Sequence, residues 1–183
     1  SGRSVRFLSL FLQHFFGFSS MESSDMMFTE VEGIFYRAID PEYRAYSLSG
    51  SRSAGRYSSS SQPTLYLSSS REGVDAAMQS HKGSRSSKLE VVSVYVVAKQ
   101  IVDLRNPLAL SAAGVSIDDA IAPWQELVAK GAIPRSWTVR DRLMACGANG
   151  LIDPSRKAPG LWHLVLFCWN RDDAPQVHLV DGT

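Results

Sequence analysis

The densest hydrophobic signal in the chain is Leu89–Ile101, where Val91, Val92, Val94, Val96 and Val97 surround Tyr95. β-Branched and aromatic residues at this density predict a long strand. Gly33-Ile34-Phe35-Tyr36-Arg37-Ala38 predicts a shorter strand that runs into a turn at Asp40-Pro41. Pro63-Thr64-Leu65-Tyr66-Leu67-Ser68 alternates apolar and polar positions with the two-residue period of a half-buried strand. Gly150-Leu151-Ile152, Leu161–Trp169 and Gln176–Val180 predict three more. In Leu161–Trp169 both alternating sets are mostly apolar (Trp162, Leu164, Leu166 and Cys168 against His163, Val165, Phe167 and Trp169), so this strand is expected to be covered on both faces.

Three stretches carry helical punctuation instead. Ser70 is a suitable N-cap for a helix over Glu72–His81, with Glu72 and Asp75 near its positive end. Ser116 opens a second stretch through Asp118, Asp119 and Ile121 toward Leu127 and Val128, which Pro123 can break. Ser136 to Cys146 predicts a third helix, ended by Gly147. Between these elements, Ser47–Ser61 and Lys82–Ser87 turn to Ser, Gly and Arg and predict irregular segments, the second a mobile connector. Strands dominate and helices are inserted among them, so the expected class is α+β. The chain shows no internal repeat, and its 183 residues suit one domain, from about residue 28 to 183.

The first 27 residues are set apart. Val5, Phe7, Leu8, Leu10, Phe11, Leu12, Phe15, Phe16 and Phe18 form an apolar run behind Arg3 and Arg6. It is shorter than the roughly 18–20 residues that span a bilayer, and no small-residue cleavage pattern follows it cleanly. Three readings stay open: a non-native leader, with Met21 as the natural start; a helix packed on the domain; and a helix buried against a partner. Residues 1–20 therefore take no part in the functional reading.

Composition narrows the classes. Hydrophobic residues make up 44% and charged ones 20%, as in a soluble globular protein. A formal net charge of +1 supplies no global field for nucleic acid or an anionic membrane. Cys146 and Cys168 match no metal or redox spacing; they are expected to be small buried residues of a reduced, cytoplasmic protein. His14, His81, His163 and His178 are scattered and form no ligand pair, so no metal is expected. Neither Gly-x-Gly-x-x-Gly after a strand nor a Walker-type Gly-Lys-Ser occurs, and no Gly-x-Ser-x-Gly elbow supports a serine nucleophile.

What remains is a set of arginines, tyrosines and serines beside strand ends. Arg37 follows an aromatic strand, Arg56 sits in Gly55-Arg56-Tyr57, and Tyr66 and Ser69 lie in Leu65-Tyr66-Leu67-Ser68-Ser69-Ser70. Ser155 lies in Gly150-Leu151-Ile152-Asp153-Pro154-Ser155-Arg156. Taken singly, each is as well explained by a solvated arginine or a rim tyrosine. Together they form one ligand chemistry: arginine forks bind diphosphate bidentately, a tyrosine face stacks on a planar cationic ring, and a serine hydroxyl fixes a ribose or amide.

These segments, in this order, resemble the RES domain, a family named for an Arg, a Glu and a Ser. Phe35-Tyr36-Arg37-Ala38 resembles its opening strand, and Gly55-Arg56-Tyr57 its Gly-Gly-Arg-Trp segment with Tyr57 in place of the tryptophan. Pro63–Ser68 resembles the strand carrying its tyrosine. Gly150–Arg156 with Leu164-Val165-Leu166-Phe167 resembles its closing Tyr-Pro-Ser-x-Arg and apolar strand. The resemblance implies an ADP-ribosyltransferase-like, twisted mixed sheet and a bacterial toxin that consumes NAD⁺ as substrate. It implies that Arg37 and Arg56 hold the diphosphate, Tyr66 stacks on nicotinamide, Ser155 orients the adjoining ribose, and Ser69 adds to the binding set. One departure stands out. The family's glutamate, four residues before a histidine, falls on Ala77 when counted back from His81; Glu72 and Asp75 are nearby, and an acid such as Glu72 is the candidate substitute.

The resemblance further implies an Xre-type antitoxin covering the cleft, with Ser47–Ser61 and Lys82–Ser87 at its entrance and no contact with nucleic acid or membrane. ADP-ribose then passes either to a side chain of a target protein or to phosphate or water. Two other classes compete: an inactive module kept for partner binding, which Ala77 favours, and a ribonuclease toxin. The near-zero charge and scattered histidines disfavour the ribonuclease.

Overall fold

The protein was analysed as a computed structural model, which describes residues 4–6, 25–79, 89–156 and 158–180. Strand β1 (Ser4–Arg6) pairs antiparallel with β2 (Thr29–Ile39), setting Val5 opposite Val31. These three residues of the N-terminal run thus add an edge strand rather than a helix; residues 7–24 lie outside the described residues. After β2 the chain turns at Asp40, whose carboxylate accepts the Glu42 N–H at 3.0 Å and starts a 3₁₀ helix, Pro41–Tyr46. Then come β3 (Leu65–Ser68), α1 (Arg71–Gln79) and β4 (Glu90–Asp103). The expected connector Lys82–Ser87 and His81 lie outside the described residues.

Four helices follow: α2 (Pro107–Ala113), α3 (Ile117–Ile121), α4 (Gln125–Ala129) and α5 (Arg135–Ala145). Ser116 caps α3 by accepting the Asp118 N–H at 3.2 Å, and Pro123 separates α3 from α4. Helix α2 is too short to announce itself by periodicity. Its signal is punctuation alone: Asn106 caps it, Pro107 begins it, and Gly114 ends it at a φ of 67°. The chain closes with β5 (Gly150–Pro154), β6 (Trp162–Leu166) and β7 (Gln176–Leu179).

The strands form one mixed sheet in the order β1-β2-β3-β6-β5-β4-β7. All pairings are antiparallel except that of β4 with β5. Because β2 also pairs with β4 over most of its length, five strands close a circuit: β2, β3, β6, β5, β4 and back to β2. Closure removes the open edges of those strands. Each of the five supplies apolar side chains to one core, including Phe35, Leu67, Val94, Ile152 and Leu164. Residues of opposite parity build a second core beneath the helices, with Leu151, Val165 and Phe167 meeting Ala109, Val139 and Leu143. Strand β6 thus feeds both cores, as its doubly apolar pattern requires. Glycine is needed at Gly150, where an added Cβ would run into the Val165 carbonyl oxygen of β6.

Candidate functional site

A cavity of about 590 Å³ opens against β2, β3, β6 and β5, closed over by residues 51–57 and Trp124. That volume lies in the range of small-molecule sites. Its polar wall is one rung across four strands. Tyr36 pairs with Ser68, Ser68 with His163, and His163 with Asp153, and all four line the cavity. Directly opposed residues share a face of a sheet, so register alone assembles this row from distant parts of the chain.

His163 Nδ1 lies 3.1 Å from Ser68 Oγ. Burial lowers its pKa, against the raising effect of Asp153, so the ring is largely neutral at pH 7. Asp153 is buried, and its Oδ1 accepts from Tyr57 Oη at 2.7 Å and from an Arg156 NH2 at 3.3 Å. Burial pushes this carboxyl above the usual range, while the Tyr57 hydrogen bond and the charges of Arg156, Arg56 and His163 pull the other way. Tyr57 has no solvent exposure, and burial with the Asp153 charge raises its phenol well above the ordinary value. It remains a protonated donor.

Arg37, at the end of β2, lines the cavity, and its buried Nε has no hydrogen-bond partner among the described residues. Burial lowers its pKa. An unsatisfied guanidinium N–H is costly, and an anion in the cavity would meet that demand. Arg56 is already engaged on one side: its NH1 donates to the carbonyls of Ala120 at 3.2 Å and Ala122 at 2.8 Å, at the end of α3. Arg156 NH2 reaches the same Ala120 carbonyl at 3.5 Å. Burial, and then the neighbouring Arg156 charge, lower the Arg56 pKa. The Tyr66 ring lines the same space, and its hydroxyl accepts the Tyr57 N–H at 3.1 Å and lies 2.8 Å from Ser58 Oγ.

Helix α5 holds this assembly. Ser136, Val139, Arg140 and Leu143 are its buried positions, spaced as one face of a helix. Val139 and Leu143 enter the second core, whereas the polar members grip the loop. Trp137 Nε1 donates to the Gly55 carbonyl at 2.9 Å, Ser136 Oγ donates to that of Arg56, and an Arg140 NH1 donates to that of Tyr57 at 2.9 Å. The same Arg140 nitrogen reaches Thr64 Oγ1 at 2.6 Å, and its guanidinium lies 4.8 Å from the Phe167 ring centre. Ser47–Ser61 therefore borders the cavity as expected, but it is fastened rather than free, with Tyr57 and Ser58 fully buried. Gly55 serves this packing: an added Cβ would stand 2.6 Å from Tyr66 Oη, so the missing side chain makes room for the tyrosine.

The family model for the RES domain matches residues 34–182. The chain belongs to the RES-domain family. Among solved structures, that of the M. tuberculosis MbcT–MbcA toxin–antitoxin complex is similar at a TM-score of 0.54 and 16% identity, covering 87% of this chain and 90% of that one. The likeness is one of fold, and it agrees with the α+β class. A search of curated proteins found no significant relative.

The RES-type candidates divide by position. Arg37, Arg56 and Tyr66 come together on the cavity. Ser155 follows β5 just beyond Asp153, half-buried and outside the cavity lining, with its Oγ accepting the Ala158 N–H at 3.2 Å. Ser69 is buried beneath the rung, where its Oγ accepts the Trp162 N–H at 3.3 Å. Glu72 is exposed on α1 and does not line the cavity. Asp153, His163 and Trp124 do line it, although sequence reasoning does not single them out. A strand register that is unknown beforehand brings Asp153 and His163 together, and a helix break turns Trp124 inward. Among the described residues no three His, Cys, Asp or Glu side chains are placed to hold a metal ion. No described helix is long and apolar enough to cross a membrane. Cys146 and Cys168 are free and half-buried, less enclosed than expected, because each sits at the rim of an element.

Proposed function

We propose that this RES-domain protein is a toxin that takes NAD⁺ into the cavity, releases nicotinamide and transfers ADP-ribose to phosphate, water or a protein side chain. The observation that carries the reading is Arg37: its buried Nε lacks an acceptor among the described residues, in the wall of a cavity that Arg56 and Tyr66 also line. A diphosphate supplies the acceptors such a pair requires. The Tyr66 face suits the nicotinamide ring, held by its pinned hydroxyl at a fixed angle. Ser155, at the mouth of β5, would orient the ribose through its hydroxyl proton, and Ser69 would act by supporting β6 rather than by touching ligand.

Cleavage of the nicotinamide–ribose bond passes through a cation-like ribose. A rigid cleft promotes it by orientation and by preorganised charge. The described residues contribute the orientation through a loop whose carbonyls are fixed by α5. An Xre-type antitoxin seated over the cavity would block NAD⁺, in keeping with the toxin–antitoxin assembly of the similar fold; the protein would act in the cytoplasm.

The test is nicotinamide release by purified protein supplied with NAD⁺ and water, phosphate or cell lysate. Release with phosphate or water marks an NAD⁺-depleting enzyme. Release or label incorporation only with lysate marks a protein ADP-ribosyltransferase. Silence in all three refutes the enzymatic reading and leaves the binding module that Ala77 favours.

A further inference from the structure

The proposed cleavage develops positive charge on the ribose, and glycosidic cleavage of this kind ordinarily relies on a carboxylate beside the reacting carbon. The position that the family resemblance assigns to a glutamate is Ala77, and Glu72 stands exposed on α1 away from the cavity. Asp153 is the one carboxylate among the described residues lining the cavity. Only its Oδ1 is occupied, by Tyr57 and Arg156; Oδ2 receives no hydrogen bond from the described residues.

We propose that Asp153 is the catalytic carboxylate of this chain, held by Tyr57 and Arg156 through one oxygen and presenting the other to the substrate ribose. The assignment rests on the NAD⁺-cleaving reading above. In the step, the bond between ribose C1′ and the nicotinamide nitrogen breaks and its electron pair leaves with nicotinamide, which departs neutral. The oxygen of water or phosphate forms the new bond to C1′. When water is the acceptor, its proton passes to solvent. Asp153 stays ionised throughout, its negative charge set against the developing cation. The groups facing it are Tyr57 and Arg56 from the loop, Tyr66 from β3, His163 from β6 and Arg156 from beyond β5. Burial pushes the Asp153 carboxyl up, and the Tyr57 hydrogen bond with the charges of Arg156 and Arg56 opposes that push in favour of the carboxylate.

The arrangement also explains why an aspartate is tolerated at a buried position. A carboxylate placed only to position Tyr57 could be replaced by any acceptor. A carboxylate needed for its charge could not. Asp153→Asn separates these cases, because the amide oxygen still accepts from Tyr57 while the charge is lost. Tyr57→Phe does the reverse.

The experiment measures nicotinamide release across pH, and NAD⁺ affinity by calorimetry, for the parent, Asp153→Asn and Tyr57→Phe, each first shown folded by circular dichroism. For Asp153→Asn the expected result is a fall in kcat of about 100-fold or more, with NAD⁺ affinity within about 3-fold of the parent. The acidic limb of the parent's pH profile should vanish in that variant. Tyr57→Phe should carry the acidic limb to higher pH, since the carboxylate loses a stabilising donor while its charge is kept. Turnover of Asp153→Asn within about 3-fold of the parent would overturn the assignment, as would a parallel loss of affinity and turnover in both variants. A parent that releases no nicotinamide with any acceptor would overturn the underlying reading as well, an outcome visible before any variant is made.

Discussion

Replacing Gly55 with alanine places a methyl group where the structure has no room. The new Cβ would stand 2.6 Å from Tyr66 Oη, 3.0 Å from Tyr66 Cζ and 3.2 Å from Ser58 Oγ. None of these atoms is the loose end of a flexible chain. Tyr66 is fixed on β3, its hydroxyl pinned by the Tyr57 N–H and Ser58, while the Gly55 carbonyl is held by Trp137. Relief therefore requires breaking hydrogen bonds or shifting the loop. Two neutral hydrogen bonds contribute about 0.5–1.5 kcal/mol each, and overpacking costs about 1–3 kcal/mol, so the total is roughly 2–6 kcal/mol. For a chain of this size that is a fall in Tm of roughly 4–24 °C. Thermal and urea unfolding read it directly. The decisive control is the same substitution made in a Tyr66→Phe background. Without the hydroxyl the closest contact disappears and those at Tyr66 Cζ and Ser58 Oγ remain, so the cost of Gly55→Ala should fall by about half. A Gly55→Ala protein that melts within about 2 °C of the parent, or a cost undiminished by Tyr66→Phe, would refute the proposed packing of loop against strand.

Arg37→Ala should weaken NAD⁺ binding about 10-fold or more while leaving Tm nearly unchanged, because no hydrogen bond to the described residues rests on its Nε; calorimetric titration paired with a melt checks both halves. Arg140→Ala should cost about 1–3 kcal/mol in urea unfolding, since it leaves the buried Tyr57 carbonyl without this donor, while Thr64 Oγ1 keeps its hydrogen bond to the Gln62 carbonyl. The folded-state pKa of His163 is depressed, so the unfolded chain protonates first as pH falls below about 6.5. Its contribution to stability is present above that pH and lost below it, and His163→Gln should flatten the loss in melts between pH 7 and 5. The sign for Asp153 is opposite: its raised pKa makes the ionised form a cost in the folded state, so Asp153→Asn should melt at or above the parent temperature at pH 7.

How far the sequence discloses all this depends on the range of the interaction. Local signals held: Ser70 and Ser116 sit at helix starts, Gly147 follows the last helix at a φ of 90°, and the doubly apolar β6 is covered on both faces. Arg37, Arg56 and Tyr66 were legible as a set because their short motifs occur in a fixed order, and they do line one cavity. Asp153 and His163 were not, because their roles arise from a register between strands that no local pattern encodes. Arg140 is hidden for a related reason. On a helix a lone arginine reads as solvent-exposed, and only the three-dimensional neighbourhood of Tyr57, Thr64 and Phe167 makes it interior. The serine-rich loop misleads in the same direction, since composition suggests mobility while its anchors lie on another element.

Those anchors have an evolutionary corollary. Trp137, Ser136 and Arg140 take hold of Gly55, Arg56 and Tyr57 by their carbonyl oxygens, which every amino acid possesses. A loop secured in this manner can exchange many of its side chains without changing its course. Neighbouring positions such as Ser53 and Ala54, which line the cavity, are therefore open to drift toward a new ligand or a new inhibitor. The geometry of Arg56, between Gly55 and Tyr57, stays as it was, and the burden of preserving it falls on a helix some eighty residues downstream.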